Sequence, residues 1–409
     1  MSRQQIAFYS ILMLIAFILL QVFERSQQQS PDCTSAYLSG AANWSIGRDW
    51  QVNIEEMKHF STLSPEDRIE YRFRNQEDTK PYAYNAIGLM YVDVIARTLF
   101  FWQGDLESLI TLQQIIHLLF SLVILILLQP LWKKILFFFL YTINPFILYL
   151  VDFPYYYFWQ TIPTSILLIY ILRNRPINSM ILVIAILFSF IAIIRPSTLF
   201  IILFILAYIA YNERKVLQGV LAIILFIGLT FALKPDSINQ PWHTMYIGVG
   251  AYPNDYNITL DDTSGFKKFE NQTGKAILGC RTNMENNDLY AEYIGDFIKK
   301  EYFNILNESP ELLVKNAVLN ILQSYGLGYK SNYMMVNYLS ALIGLVLIIL
   351  LFWFREYLLL LAIGIASVSF TPYYPPIAAY MFGSYILIVF AWMIAIEKIL
   401  HKLTIRDEE

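Results

Sequence analysis

Apolar runs of near-constant length recur from one end of this chain to the other, and such runs have few ways to fold. The first is Ile6 to Phe23; as a helix rising 1.5 Å per residue it would cover roughly 27 Å, enough to cross a bilayer. Later runs fall near 109–128, 133–151, 155–172, 178–194, 197–211, 216–233, 336–354, 357–371 and 376–396. In lipid every backbone polar group needs an internal partner, so runs of this kind become helices. The chain of 409 residues is 57% hydrophobic and only 15% charged, too little charge for a soluble surface of that size. The expected fold class is an all-α polytopic membrane protein with about ten transmembrane helices. The net charge of −3 excludes little, because charge here is sorted by loop.

Lys and Arg set the expected orientation. With the N-terminus inside, the cytoplasmic pieces hold Arg3, Lys133, Lys134, Arg173, Arg175, Arg214, Lys215, Arg355, Lys398, Lys402 and Arg406. The short outward turns "VDFPYYY", "IIRPST" and "FTPYYPP" carry one basic residue, Arg195. The flank "ERSQQQSPDC" lacks a small-residue cleavage site, so 1–23 reads as a retained first helix. Residues 24–108 then form a first outer loop. Helices two to seven occupy 109–233, an outer soluble part follows at 234–335, the last three helices span 336–396, and 397–409 is a cytoplasmic tail.

Both outer segments carry helical signals. "SPEDRIEYRF" opens with a Ser-x-x-Asp start resembling a capping box. "NNDLYAEYIGDFIKKEYFNIL" has apolar residues three and four apart, predicting an amphipathic helix. "ESPELLVKNAVLNILQSYG" predicts another, with Pro310 in its first turn. There is no internal repeat, no phosphate-binding glycine loop and no metal-type spacing of Cys and His. The four histidines, His59, His117, His243 and His401, are scattered. The two cysteines, Cys33 and Cys280, both fall in outer segments under this orientation, and either pair as a disulfide or remain free thiols.

Three places offer chemistry. "SPDCTSAYLSGA" sets Asp32 just past the first membrane exit, with a helix expected to start there and Tyr37 and Ala41 on one face. Asp32 could act as a general base toward a hydroxyl or simply cap the helix. "IGRDW" supplies Asp49 as a second acid. Arg195, at the outer end of a helix, suits bidentate phosphate binding or snorkels at the headgroups. "NQPWHTMYIGVGAYPNDYNITLDD" could line a carbohydrate site through Trp242, His243, Tyr246 and Tyr252, or pack as a loop with a turn at Pro253-Asn254. Tyr373, Tyr374 and Tyr380 fit an aromatic belt or a headgroup pocket. Asn-x-Ser/Thr sequons begin at Asn43, Asn257, Asn271 and Asn307.

Together these residues resemble the GT-C class of membrane glycosyltransferases, which includes protein O-mannosyltransferases and aminoarabinose transferases. The likeness rests on an Asp in the first outer loop, within "PDCTSAYLSGAANWSIGRDW". It also rests on a Tyr-Asn-x-x-Gly element in "PYAYNAIGL", with Tyr84, Asn85 and Gly88. "INPFILYLVDFPYYYFWQTIPTSILLIYILR" resembles the paired helices of that class, and "AIIRPSTLF" its Arg-Pro turn. The first-loop acid departs from the Asp-Glu pair of the mannosyltransferases, so the class's Asp maps to Asp32 or to Asp49, with Asp32 nearer the helix end. No acidic pair matches an oligosaccharyltransferase metal site, and the resemblance implies a metal-independent enzyme without cofactor.

What the resemblance implies is transfer of a sugar from a polyprenyl-phosphate-linked donor to a glycan, lipid or protein acceptor, on the outer face of a bacterial inner membrane. Asp32 would be the base. Arg195 would stabilise the leaving phosphate, with Tyr373 or Tyr374 as donors, while Tyr84, Asn85, Trp242 and His243 would contact substrate. Membrane lipid is an expected partner and nucleic acid is not. Two rivals remain at this level: a transporter of lipid-linked saccharides, which needs a polar path such as Gln113, Gln114 and His117 could supply, and a polysaccharide polymerase using diphosphate-linked donors.

Overall fold

A computed structural model describes residues 3–22, 31–44, 47, 51–74, 77–81, 88–177, 180–233, 241–279 and 285–406. The chain is built from helices, with one two-stranded antiparallel pairing between β1 (Gln51–Val52) and β2 (Lys80–Pro81). After α1 (Arg3–Val22) come α2 (Pro31–Trp44), α3 (Ile54–Thr62), α4 (Pro65–Glu70) and α5 (Leu89–Leu99). The long α6 (Asp105–Leu127) leads to α7 (Leu131–Phe137), α8 (Pro145–Val151), α9 (Thr161–Arg173), α10 (Met180–Ile194), α11 (Leu199–Asn212) and α12 (Val216–Leu233). A lobe follows: α13 (Trp242–Gly248), α14 (Asp262–Thr273), α15 (Asn287–Ala291), α16 (Ile298–Glu308) and α17 (Pro310–Gln323). The chain closes with α18 (Met334–Trp353), α19 (Tyr357–Ser367) and α20 (Ala378–Arg406).

Among the described residues, α1, α6, α12, α18 and α20 are long and apolar enough to cross a membrane. The bent pair Leu131–Thr142 and Pro145–Val151, angled by 53°, would make a sixth span if counted as one. The bend has a local cause: Pro145 starts a new helix and the Asn144 side chain caps it, accepting from the Phe146 amide at 2.9 Å. The remaining apolar runs form shorter helices. α10 is 15 residues and stops where Arg195-Pro196 forbids continuation. α19, at 11 residues, ends before the turn that carries Pro372, Pro375 and Pro376.

Helix ends sort to two sides of the bundle. At one, Lys134 donates to Tyr9 of α1, Lys133 pairs with Glu397 at 2.6 Å and Lys398 pairs with Glu356. At the other, Gln21 of α1 donates to Gln114 at 3.1 Å, and Gln114 donates to Asp152 at 2.8 Å. Residues 31–104 share the main core with the spanning helices through Tyr37, Val52, Phe60 and Phe73. The lobe has its own core around Tyr246, Phe269, Tyr293 and Ile298, which also takes in Phe370 and Tyr374. The lobe is thereby clamped to the turn that precedes α20.

The expected local signals are present. Ser64 caps α4 by accepting from the Asp67 amide at 3.2 Å, and Pro310 opens α17. The helix expected near Asp32 begins at Pro31. From Thr34 to Asn43 it is buried on every side, which its run of Ser, Gly and Ala permits because neighbours can approach closely.

Candidate functional site

Arg195 organises the site. Pro196 disfavours helical backbone at the residue before it, so α10 ends and Arg195 turns to φ −138°, ψ 89°. Its amide donates to Ile191 O at 2.8 Å, and its carbonyl accepts from the Thr198 amide at 3.0 Å and the Thr198 hydroxyl at 2.8 Å. The backbone is thus held on both sides. Gly88 presses against the same place: a Cβ there would lie 2.6 Å from the Ile194 amide nitrogen, so only glycine lets the start of α5 approach.

The Arg195 side chain enters a cage of phenol rings. Its Cζ lies 4.6 Å from the ring centre of Tyr156, 4.6 Å from that of Tyr380 and 5.3 Å from that of Tyr157. The Tyr374 ring lies tilted against Tyr380 at 5.0 Å, and Tyr37 of α2 reaches the neighbouring Tyr155 at 5.9 Å. Arg195 is only 8% exposed, and among the described residues it has no carboxylate partner. Its Nε and Nη2 make no hydrogen bond. Three ring faces return about 0.5–2 kcal/mol each, against a burial cost of several kcal/mol for an unpaired ion. The walls are rigid: Thr164 donates to Gly383 O at 2.5 Å, and Gln160 donates to Ala379 O, fixing the start of α9 to α20.

The lobe closes one side. A Cβ on Gly248 would sit 2.1 Å from the Tyr373 carbonyl oxygen, so α13 meets this turn backbone to backbone. Burial, then Tyr380 and the Asp262 carboxylate, push the Tyr374 hydroxyl well above its ordinary pKa. It therefore stays protonated and can donate. Within the lobe His243 is fully engaged: Nε2 lies 3.2 Å from Asp262 Oδ1, Nδ1 lies 2.5 Å from Tyr293 Oη, and one ring face stacks on Phe266. Nδ1 pairs with the Tyr293 hydroxyl, and Nε2 donates to the Asp262 carboxylate. That hydrogen bond holds the Asp262 carboxyl below its usual range.

Of the residues expected from sequence, the structure brings Arg195, Tyr373, Tyr374 and Tyr380 into one cluster with α2 close by. Trp242 and His243 belong to the lobe, with Trp242 against Tyr302 and Phe303. Tyr246 and Tyr252 are buried and offer no free face for stacking, because Tyr246 fills the lobe's own core and Tyr252 packs against Tyr329. Asn254 does form the expected turn, accepting from the Tyr256 and Ile258 amides. Cys33 is disulfide-bonded. Asp49, Tyr84, Asn85 and Cys280 lie outside the described residues, as does the side chain of Asp32. Asn43 is fully buried and donates to Gln51 O at 3.1 Å, so its sequon is closed to modification in the folded chain.

One residue escaped the sequence reading. Asp152, at the end of α8, is buried and accepts from Gln114, and it leads directly into the tyrosines of the cage. Its signal was an acid placed between an apolar helix and "FPYYY", which reads equally well as a helix end. The cage as a whole is a buried cationic cluster walled by phenol rings, a group whose chemistry suits a phosphate or another compact anion. The chain matches no protein-family profile, no curated protein and no solved structure.

Proposed function

We propose that this protein is a membrane glycosyltransferase of GT-C type that moves a sugar from a polyprenyl-phosphate donor to an acceptor on the outer face of the membrane. The observation that carries the reading is Arg195, a buried guanidinium with no carboxylate partner among the described residues, set among tyrosines at the end of the bundle away from the basic connections. A lipid phosphate supplies both the missing anion and an apolar tail suited to the bilayer. In this reading the shorter apolar helices complete about ten spans, and the lysine-rich end is cytoplasmic.

The acceptor hydroxyl loses its proton to Asp32, in the first turn of α2, with Asp49 the alternative base. Its oxygen forms the new bond to the anomeric carbon as the bond to phosphate breaks, and configuration inverts. The polyprenyl phosphate leaves with the electron pair. Arg195 meets charge that grows only as this bond breaks, so it lowers the barrier rather than merely tightening binding.

The transporter reading is weaker on a specific point. Gln113 donates to the Val151 and Phe153 carbonyls, Gln114 to Asp152, and His117 bonds the Thr142 carbonyl. These polar groups tie the bent pair to α6 instead of facing a path. Membranes supplied with synthetic polyprenyl-phosphate hexoses carrying labelled sugar should transfer label to envelope acceptors. Arg195→Ala should cut turnover by about 10²–10³-fold at normal expression. Equal transfer by the variant and the parent would remove Arg195 from the reaction, and a donor preference for diphosphate-linked oligosaccharides would favour the polymerase.

A further inference from the structure

A second cavity, of about 1090 Å³, opens in the segment 31–104, away from the arginine cage and lined by different residues. Its most unusual wall is Glu56, 6% exposed on α3. Glu56 Oε1 accepts from the Tyr71 hydroxyl at 3.2 Å and the Arg74 amide at 2.9 Å, while Oε2 has no hydrogen-bond partner among the described residues. Native proteins rarely bury a carboxylate oxygen unsatisfied unless something else meets it. Burial raises the Glu56 pKa, against the pull of those two donors, and Tyr71 is itself pushed up to about 12 and remains a donor.

The rest of the lining points to the ligand's chemistry. Glu56, Asp67 and Glu70 are matched by Arg72, Arg74 and Arg97, so the cavity has no net sign and no attraction for a simple anion. Arg72 and Arg97 are already committed, to Asp105 and to the Phe73, Arg97 and Phe101 carbonyls. Arg74 is exposed and lines the same cavity, beside the Glu56 carboxyl that its own amide binds. His59 and Tyr71, 5.9 Å apart, form an aromatic wall, with the buried Phe73 packed behind Tyr71 at 5.1 Å. A carboxyl, a phenol and a guanidinium beside aromatic edges are the groups that bind vicinal hydroxyls and stack on sugar C–H faces.

We infer that this cavity is a binding site for a neutral saccharide. Glu56 accepts from its hydroxyls, Arg74 donates to them, and the aromatic wall covers one ring face. The site does not depend on the transfer reading, although α2 links the two places: Ala42 lines this cavity and Tyr37, about one and a half turns away, abuts the cage.

The test uses the full chain in lipid nanodiscs and a panel of neutral disaccharides (maltose, lactose, mannobiose and diacetylchitobiose), followed by saturation-transfer NMR. At least one should bind saturably. Glu56→Gln and Arg74→Ala should each weaken it about tenfold, while Arg195→Ala leaves it unchanged. Arg74 is exposed, so its variant keeps the test valid should Glu56→Gln fold poorly. Absence of saturable binding across the panel, unaltered binding by Arg74→Ala and Glu56→Gln, or displacement of the sugar by inorganic phosphate would each overturn the assignment. Loss of binding in Arg195→Ala would place the sugar in the cage instead and overturn it too.

Discussion

Asp93 shows what this protein tolerates at single positions. It lies on the buried face of α5, 3% exposed, and among the described residues neither of its oxygens accepts a hydrogen bond. Burial, reinforced by Asp105, pushes its carboxyl well above the usual range despite the nearby Arg97. A group that holds its proton more tightly when folded weakens the fold as pH climbs past its unfolded value near ~4. Asp93→Asn should therefore be more stable than the parent by about 1–3 kcal/mol at about pH 8, with the advantage fading toward about pH 4; thermal unfolding at both pH values reads this. Arg195 is the opposite case, a buried charge with a cage built around it. It stood out in the sequence as the one basic residue in the short turns "VDFPYYY", "IIRPST" and "FTPYYPP", while the rings that surround it could not be read there. Asp152 did not stand out, since an acid at a helix end is ordinary and only the approach of Gln114 and the tyrosines makes it unusual.

Gly248 is where two elements meet without side chains between them. A methyl group there would strike the Tyr373 carbonyl, backbone that cannot swing aside. Gly248→Ala should cost about 1–3 kcal/mol, seen as a lower melting temperature and as faster proteolysis of the turn before α20. Helix starts were legible because caps are local: Ser64 and Pro310 act within one turn. Span lengths were less so. An apolar run reports hydrophobicity, whereas α10 and α19 are ended by proline-bearing turns inside or beside the run. The aromatic stretch 242–252 was open to two readings for a related reason: Tyr246 fills a core that exists only once α14 and α16 have packed over it, and Tyr252 one that needs the distant Tyr329.

At the scale of the whole molecule, the orientation drawn from Lys and Arg puts the lobe outside and Lys402 inside. Asn271, exposed on the lobe, should react with a membrane-impermeant maleimide in intact cells when changed to Cys, and Lys402→Cys should react only after permeabilisation. The reverse pattern would invert the topology. The arginine cage adds a consequence for how the protein is made. Its walls come from residues 155–157, from Arg195 and from the start of the last helix, where Tyr380 sits. During synthesis Arg195 leaves the ribosome long before Tyr380 does, and until then its guanidinium must stay hydrated at the membrane surface. Insertion of the final helix is what draws that cation in. A chain cut short before α20 would carry most of its spans and the cavity at Glu56, yet would lack the Tyr380 wall of the cage, so completion of the polypeptide and completion of the cage are one event.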